Sequence, residues 1–276
     1  MHPILAEVWL GGTQVVVGAY ATFLVLAALV AAGLAGRVLA RLGIERRRAV
    51  AGIALAVLAG LAGARMLAVV LAPAAFAADP ARIVAPEPSG FALYGGMASA
   101  GAVVVWLAGR WRLDLARLAD GLIVPIASGL VLLRVGCFLN GCCNGTATTL
   151  PWGVVFPAGS VSWGQQVIGG GAGALFGRVA PVHPTQLYEA AAVLLLAALA
   201  VRLRRRRPPD GVAALLFATG FLTFRAFNQT LRAPTVDPAV PALVLVAAYA
   251  VGALIFAAAL AARVRRGLGS PLARVV

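Results

Sequence analysis

Charge is sparse in this chain of 276 residues: Asp, Glu, Lys and Arg make up 12% of it, against 62% hydrophobic residues. A soluble globular domain carries about 25% charged residues, so this deficit excludes that class. Lysine is absent and all 23 basic residues are arginine, a choice that fits a composition also rich in alanine, glycine and valine. Cysteine is limited to Cys137, Cys142 and Cys143. An odd number with two adjacent residues does not make a disulfide framework, and a zinc site would want more ligands than these together with His183. They read as small structural residues, with a redox or acyl-carrying nucleophile as the other reading. No internal repeat of the kind that transporters carry is present. The opening stretch MHPILAEVWLGGTQ lacks the basic region and small-residue cleavage site of a signal peptide, so the first apolar run is expected to be retained.

What is abundant is long apolar sequence. Runs long enough to cross a bilayer fall at Val15–Ala35, Val50–Ala72, Phe91–Ala108, Leu118–Asn140, Pro184–Val201, Val212–Leu231 and Ala239–Ala262. The chain therefore reads as an all-α polytopic membrane protein of about seven transmembrane helices. It forms a single integral membrane domain over residues 1–276, with a glycine-rich re-entrant or interfacial segment near 141–182. Arginines cluster after the first run (Arg37, Arg41, Arg46, Arg47, Arg48), the third (Arg110, Arg112, Arg117), the fifth (Arg202, Arg204 to Arg207) and the seventh (Arg263, Arg265, Arg266, Arg274). The opposite connections hold only Arg82, Arg178 and Arg232. Under the positive-inside rule this alternation puts the N-terminus outside and the C-terminus in the cytoplasm. The net charge of +14 is explained by these clusters, which set topology and meet anionic membrane lipids, and no nucleic-acid partner is implied.

Three arginines break this pattern. Arg65, Arg134 and Arg225 lie inside apolar runs, where a charge costs at least about 2.5–3.5 kcal/mol and marks a candidate functional site. The second, fourth and sixth runs all point outward, and each arginine falls about two turns before the outward end, at a shared depth roughly 10 Å below the boundary. A guanidinium fork there suits a phosphate, and few acidic partners are near: Glu189, Glu7 and Asp79. Snorkelling or capping of broken backbone would explain any one arginine alone, but an anionic lipid phosphate explains all three together. Asn140 and Gly141 end the fourth run, and Asn228 and Gln229 follow Arg225; these amides would orient an ester or hydroxyl, or bond between helices.

With these residues in place, the chain resembles the bacterial prolipoprotein diacylglyceryl transferase family. LRVGCFLNG (Leu133–Gly141) is similar to the family signature at Arg134, Gly136, Phe138, Asn140 and Gly141. Asp120, fourteen residues before Arg134, also matches in placement. GARML (Gly63–Leu67), YGGM (Tyr94–Met97), HPTQLYE (His183–Glu189) and FRAFNQTLR (Phe224–Arg232) resemble further family segments, so that the likeness covers roughly residues 13–232 in order. The resemblance implies transfer of the sn-1,2-diacylglyceryl group from phosphatidylglycerol to the lipobox cysteine thiol in the signal peptide of a prolipoprotein. A thioether forms and glycerol 1-phosphate leaves, at the outer leaflet and without metal or organic cofactor. It further implies phosphatidylglycerol contacts from Arg65, Gly95, Gly96, Arg134, Asn140, Gly141 and Arg225.

The chain departs from the family at several proton-handling positions. Tyr94 stands where the family has histidine, Cys137 where the signature has asparagine, Phe221 for a tyrosine, Gln229 for a glutamate, and Val17 for a tyrosine, with Tyr20 one turn on. Binding elements are kept. An electrostatic clamp from Arg134 and Arg225 would then carry most of the catalysis by holding charge on the leaving phosphate, with His183 as the candidate base and Tyr94 as a hydrogen-bond donor to lipid oxygens. A divergent paralogue that binds phosphatidylglycerol but uses another acceptor, or is inactive, is the alternative.

Overall fold

A computed structural model describes residues 3–11, 13–84, 92–168, 179–233 and 241–268. The first residues of two expected spans, Phe91 and Ala239, and the arginines Arg178 and Arg274 lie outside the described residues, as does part of the segment near 141–182. The described chain is dominated by helices: α1 Ala19–Arg41, α2 Arg46–Leu71, α3 Pro73–Ala78, α4 Leu93–Arg110, α5 Leu115–Asn140, α6 Val161–Ile168, α7 Thr185–Arg204, α8 Val212–Thr230 and α9 Ala242–Leu268. Five of them, α1, α2, α5, α7 and α9, are long and apolar enough to cross a membrane. The other two expected spans correspond to α4 and α8, the latter made more polar by Arg225, Asn228 and Gln229.

One departure from an all-helical chain lies at the start. Strands β1 (Ile4–Leu10) and β2 (Thr13–Gly18) pair antiparallel, from Leu10 opposite Thr13 to Ile4 opposite Gly18. The run Val15, Val16, Val17 was expected to open the first span; its β-branched side chains suit a strand better than a helix. Helix α1 starts only at Ala19 and continues to Arg41, past the expected end at Ala35.

The chain divides into two compact units, residues 1–31 with 123–276 and residues 32–122. In the smaller unit, α2 and α4 run antiparallel and very close. A Cβ on Gly63 would strike Ser99 and come within 2.6 Å of the Gly95 carbonyl oxygen, and one on Gly96 would lie 2.9 Å from the Gly60 carbonyl oxygen. Small residues at this spacing let helix backbones approach, which matters in lipid because no hydrophobic drive pulls helices together there. The Ala92 N–H, one residue before α4, donates to the Ala64 carbonyl at 2.9 Å and ties the helix start to α2. At the other end Leu39, Ala49, Ala108 and Leu118 form a core under Trp111. Asp114 caps α5 by accepting from the Arg117 N–H at 2.9 Å.

In the larger unit, α7 packs against α8 and α8 against α9. Ile123 and Ala127 of α5, Val193 and Ala200 of α7, and Ala213 and Phe217 of α8 make one buried cluster. Gly136 faces α1, where a Cβ would sit 2.6 Å from that of Phe23. Leu29, Leu58, Val70, Leu254 and Ile255 are all exposed on helix faces, as expected where lipid rather than water is the solvent.

Candidate active site

Four helices or their ends bring polar side chains into the interior of the larger unit. On α7 the buried residues are Thr185, Gln186, Glu189, Ala190, Val193 and Ala200, the spacing of one helix face. That face turns Glu189 toward Arg134 of α5 and Arg225 of α8. The Arg225 Nη1 donates to Glu189 Oε2 at 2.6 Å, and Arg134 Nη2 lies 2.9 Å from Glu189 Oε1. This second contact is an ion pair out of line for a hydrogen bond, because Oε1 has no hydrogen-bond partner. Arg225 Nη2 also donates to the Tyr249 hydroxyl of α9 at 2.8 Å, and its Cζ stands 5.0 Å from the Tyr249 ring centroid. The two guanidinium side chains are 7% and 6% exposed and the carboxylate 2%, so the triad is desolvated and carries one net positive charge. Arg134 Nε is buried without a hydrogen-bond partner, leaving a donor that a ligand oxygen could fill.

From the sequence, a lipid phosphate rather than a protein carboxylate is the expected partner of these arginines. Glu189 is in fact shared by two of them. Its candidacy was legible, since it is one of few acidic residues in the outward halves of the spans. Tyr249 carried no such signal, being one aromatic residue in an apolar helix.

The turn after α5 is built around Gly141. This residue has φ +71°, its N–H donates to Phe138 O at 3.2 Å, and the Cys142 N–H donates to Cys137 O at 3.1 Å. These paired bonds are the Schellman C-cap, which favours glycine at the left-handed position. Space also demands glycine, because a Cβ there would lie 2.8 Å from Ser160 Cβ and 3.0 Å from Phe156 Cδ1. Ser160 in turn caps α6 by accepting from the Trp163 N–H at 3.2 Å. Gly141 thus turns the chain directly after Asn140, the last residue of α5.

The next residues are fastened to the start of α7. Thr185 Oγ1 donates to Cys143 O and Gln186 Nε2 to Cys142 O, both at 2.6 Å. Asn228 Nδ2 donates to Thr185 O at 3.3 Å, a bond between α8 and α7. Further along, the Gly145 N–H donates to His183 O and the His183 N–H to Thr146 O. Thr185 and Gln186 were not picked out in the sequence, although they sit in the HPTQLYE block. Their task of holding two carbonyls is visible only in three dimensions.

His183 is half-buried, with Nδ1 3.3 Å from the Tyr188 hydroxyl, which itself accepts from Trp152 Nε1 at 2.8 Å. It is placed in a relay of polar groups rather than against the arginines' shared carboxylate. The thiols Cys137, Cys142 and Cys143 are free and their sulfur atoms lie within 4.8 Å of one another. Arg134 Nη1 approaches Cys137 Sγ at 3.8 Å. Hydrogen bonds from Cys137 and Cys142, aided by the charges of Arg232 and Arg134, hold the Cys143 thiol well below its usual range. For Cys142, the hydrogen bond from Cys137 is outweighed by that to Cys143 and by burial, and its thiol is pushed up to about 11.

Arg65, Tyr94, Gly95, Gly96 and Asp120 belong to the smaller unit. Arg65 and Asp120 are buried there and Tyr94 is exposed. Gly95 and Gly96 serve the close contact of α4 with α2.

A model of the prolipoprotein diacylglyceryl transferase family matches residues 8–264. Proteins named phosphatidylglycerol–prolipoprotein diacylglyceryl transferase are similar to it. One from Nitratidesulfovibrio vulgaris (strain DP4) is 33% identical over 165 residues, covering 59% of this chain and 55% of that protein. Another from Roseobacter denitrificans is 33% identical over 169 residues (59% and 53%), and one from Vibrio vulnificus (strain YJ016) is 32% identical over 161 residues (58% and 52%). The match spans about half the length of these curated relatives. With a family match across almost all of its length, the chain belongs to the prolipoprotein diacylglyceryl transferase family.

Proposed function

We propose that this protein transfers the diacylglyceryl group of phosphatidylglycerol to the thiol of a lipobox cysteine in a prolipoprotein signal peptide, releasing glycerol 1-phosphate. The observation that carries this reading is the buried triad of Arg134, Glu189 and Arg225. In the reaction the thiolate sulfur attacks the glyceryl carbon, the carbon–oxygen bond to phosphate breaks, and the phosphate leaves with the bonding electrons. Charge therefore grows on the phosphate oxygens. Fixed guanidinium donors in a water-poor site stabilise such charge strongly, because they need not reorganise during the step. Glu189 holds the two forks in place, and the unfilled Nε of Arg134 supplies a donor for one phosphate oxygen.

The acceptor thiol has an ordinary pKa of about 8.5 and must lose its proton to react. The net positive triad favours the thiolate, and His183, hydrogen-bonded through Tyr188 to Trp152, takes the proton. The family resemblance further assigns lipid contacts to Arg65, Gly95 and Gly96, with Tyr94 as a hydrogen-bond donor to lipid oxygens. The site faces the outer leaflet of the bacterial inner membrane, with the N-terminus outside. Cys137 and Tyr94 favour one second reading, a divergent family member that binds phosphatidylglycerol but serves another acceptor.

Transfer of labelled diacylglyceryl from phosphatidylglycerol to a lipobox peptide, with glycerol phosphate followed in parallel, tests the proposal. Both products should form, and both should vanish when the peptide cysteine is replaced by serine. Arg134→Ala and Arg225→Ala should each remove turnover; near-normal turnover in either would contradict the clamp. Lipid binding without either product would support the divergent reading.

A further inference from the structure

We propose that Cys137, Cys142 and Cys143 form a three-sulfur binding site for a thiophilic d10 metal ion. Two features of the fold put the thiols together. The Schellman cap at the end of α5 brings its outer residue back over the third residue from the helix end, a pair that is normally an apolar contact. Here that pair is Cys142 over Cys137, joined by the backbone bond at 3.1 Å and by a Cys142 Sγ contact to Cys137 O at 3.7 Å. The left-handed Cys143, at φ +62°, then folds the third thiol back onto the other two. A non-glycine residue is disfavoured in that conformation. The hydrogen bonds from Thr185 and Gln186 to the carbonyls of Cys143 and Cys142 hold it there.

All three sulfur atoms lie within 4.8 Å of one another, and among the described residues no imidazole or carboxylate joins the group. Sulfur-only ligation selects soft ions. A set of three suits ions content with three ligands better than structural zinc, which closes its shell with four. Cys137 is buried while Cys142 and Cys143 are half-buried, so the ion has a route in. Binding of a divalent ion forms three metal–sulfur bonds, displaces the protons that the thiols still carry, and leaves a three-thiolate complex with one net negative charge. Arg134 Nη1, 3.8 Å from Cys137 Sγ, offsets that charge. The site shares Arg134 with the triad, so occupancy sets a negative group against that guanidinium.

Cadmium titration of the reduced, purified protein in detergent tests the inference. The expected result is one cadmium bound per chain, an ultraviolet sulfur-to-metal charge-transfer band and a cadmium NMR shift in the range of sulfur-rich sites. Each of Cys137→Ser, Cys142→Ser and Cys143→Ser should weaken binding by at least about tenfold, the scale already reached when a mere outer partner of a metal ligand is removed. The NMR shift of the unaltered protein reads the sulfur donors directly, so the result does not depend on how the variants fold. No band from protein with three titratable thiols would overturn the site. So would a band undiminished by Cys137→Ser, or a disulfide among the three in protein purified without reductant.

Discussion

Replacing Glu189 with glutamine keeps the shape of the side chain and removes the one negative charge that two buried guanidinium groups share. Two unit charges about 4 Å apart attract by about 4 kcal/mol at an effective dielectric near 20. Desolvation offsets much of this in the intact pair but not when a partner is lost. Breaking a buried pair by removing one member costs about 3–5 kcal/mol, since the other charge stays buried without compensation. Glutamine retains one acceptor oxygen for Arg225, so the lower part of that range applies to this pair, while the Arg134 contact at 2.9 Å, purely ionic, is lost. At about 2–4 °C per kcal/mol for a chain of this size, Tm should fall by about 10 °C. Thermal unfolding of Glu189→Gln in lipid nanodiscs, followed by tryptophan fluorescence, gives the shift. Adding Arg225→Gln should recover part of the loss, by about 1–3 kcal/mol relative to the sum of the single changes. A Tm within about 1 °C of the parent, or strict additivity in the double variant, would refute the shared-carboxylate reasoning.

Gly141→Ala should destabilise by about 2 kcal/mol or more, because alanine pays for the left-handed conformation and also meets Ser160 and Phe156; chemical unfolding measures it. Tyr94→Phe should leave turnover in the labelled-lipid assay within about a factor of ten if the arginine clamp dominates, whereas a loss of several orders of magnitude would make the hydroxyl essential. Cys143, held below the usual thiol range, should be alkylated at neutral pH while Cys142, pushed up to about 11, should not, and peptide mass spectrometry after brief treatment reads the two sites separately. Equal labelling of both would show that the hydrogen bonds among the thiols do not bias the charge toward Cys143.

The sequence alone determined the class of protein and the position of its helices, because both depend on local composition. Apolar runs of sufficient length have to satisfy their backbone internally, and in lipid that means helices. The LRVGCFLNG segment announced its own turn, since a glycine after a helical run at that offset is the residue that tolerates positive φ. Arg134 and Arg225 were conspicuous because charge in such a run is costly. Local pattern failed at Val15 to Val17, where an apolar stretch fits strand and helix equally well in a hydropathy window and pairing with Ile4–Leu10 decided for the strand.

Only the tertiary structure could say what answers the buried charges. Glu189 lies 55 residues after Arg134 and 36 before Arg225, and no periodicity within one helix reports which face of another it meets. The same holds for Tyr249, reached by Arg225 across the contact of α8 with α9, and for Thr185 and Gln186, whose bonds run to carbonyls 42 and 44 residues away. The glycines of α4 show the converse: their motif was plain in the chain, but their close contact with the α2 backbone depends on the packing of two helices. Sequence fixes what each segment must do with its own backbone, whereas partners for desolvated side chains are chosen by which faces the fold presses together.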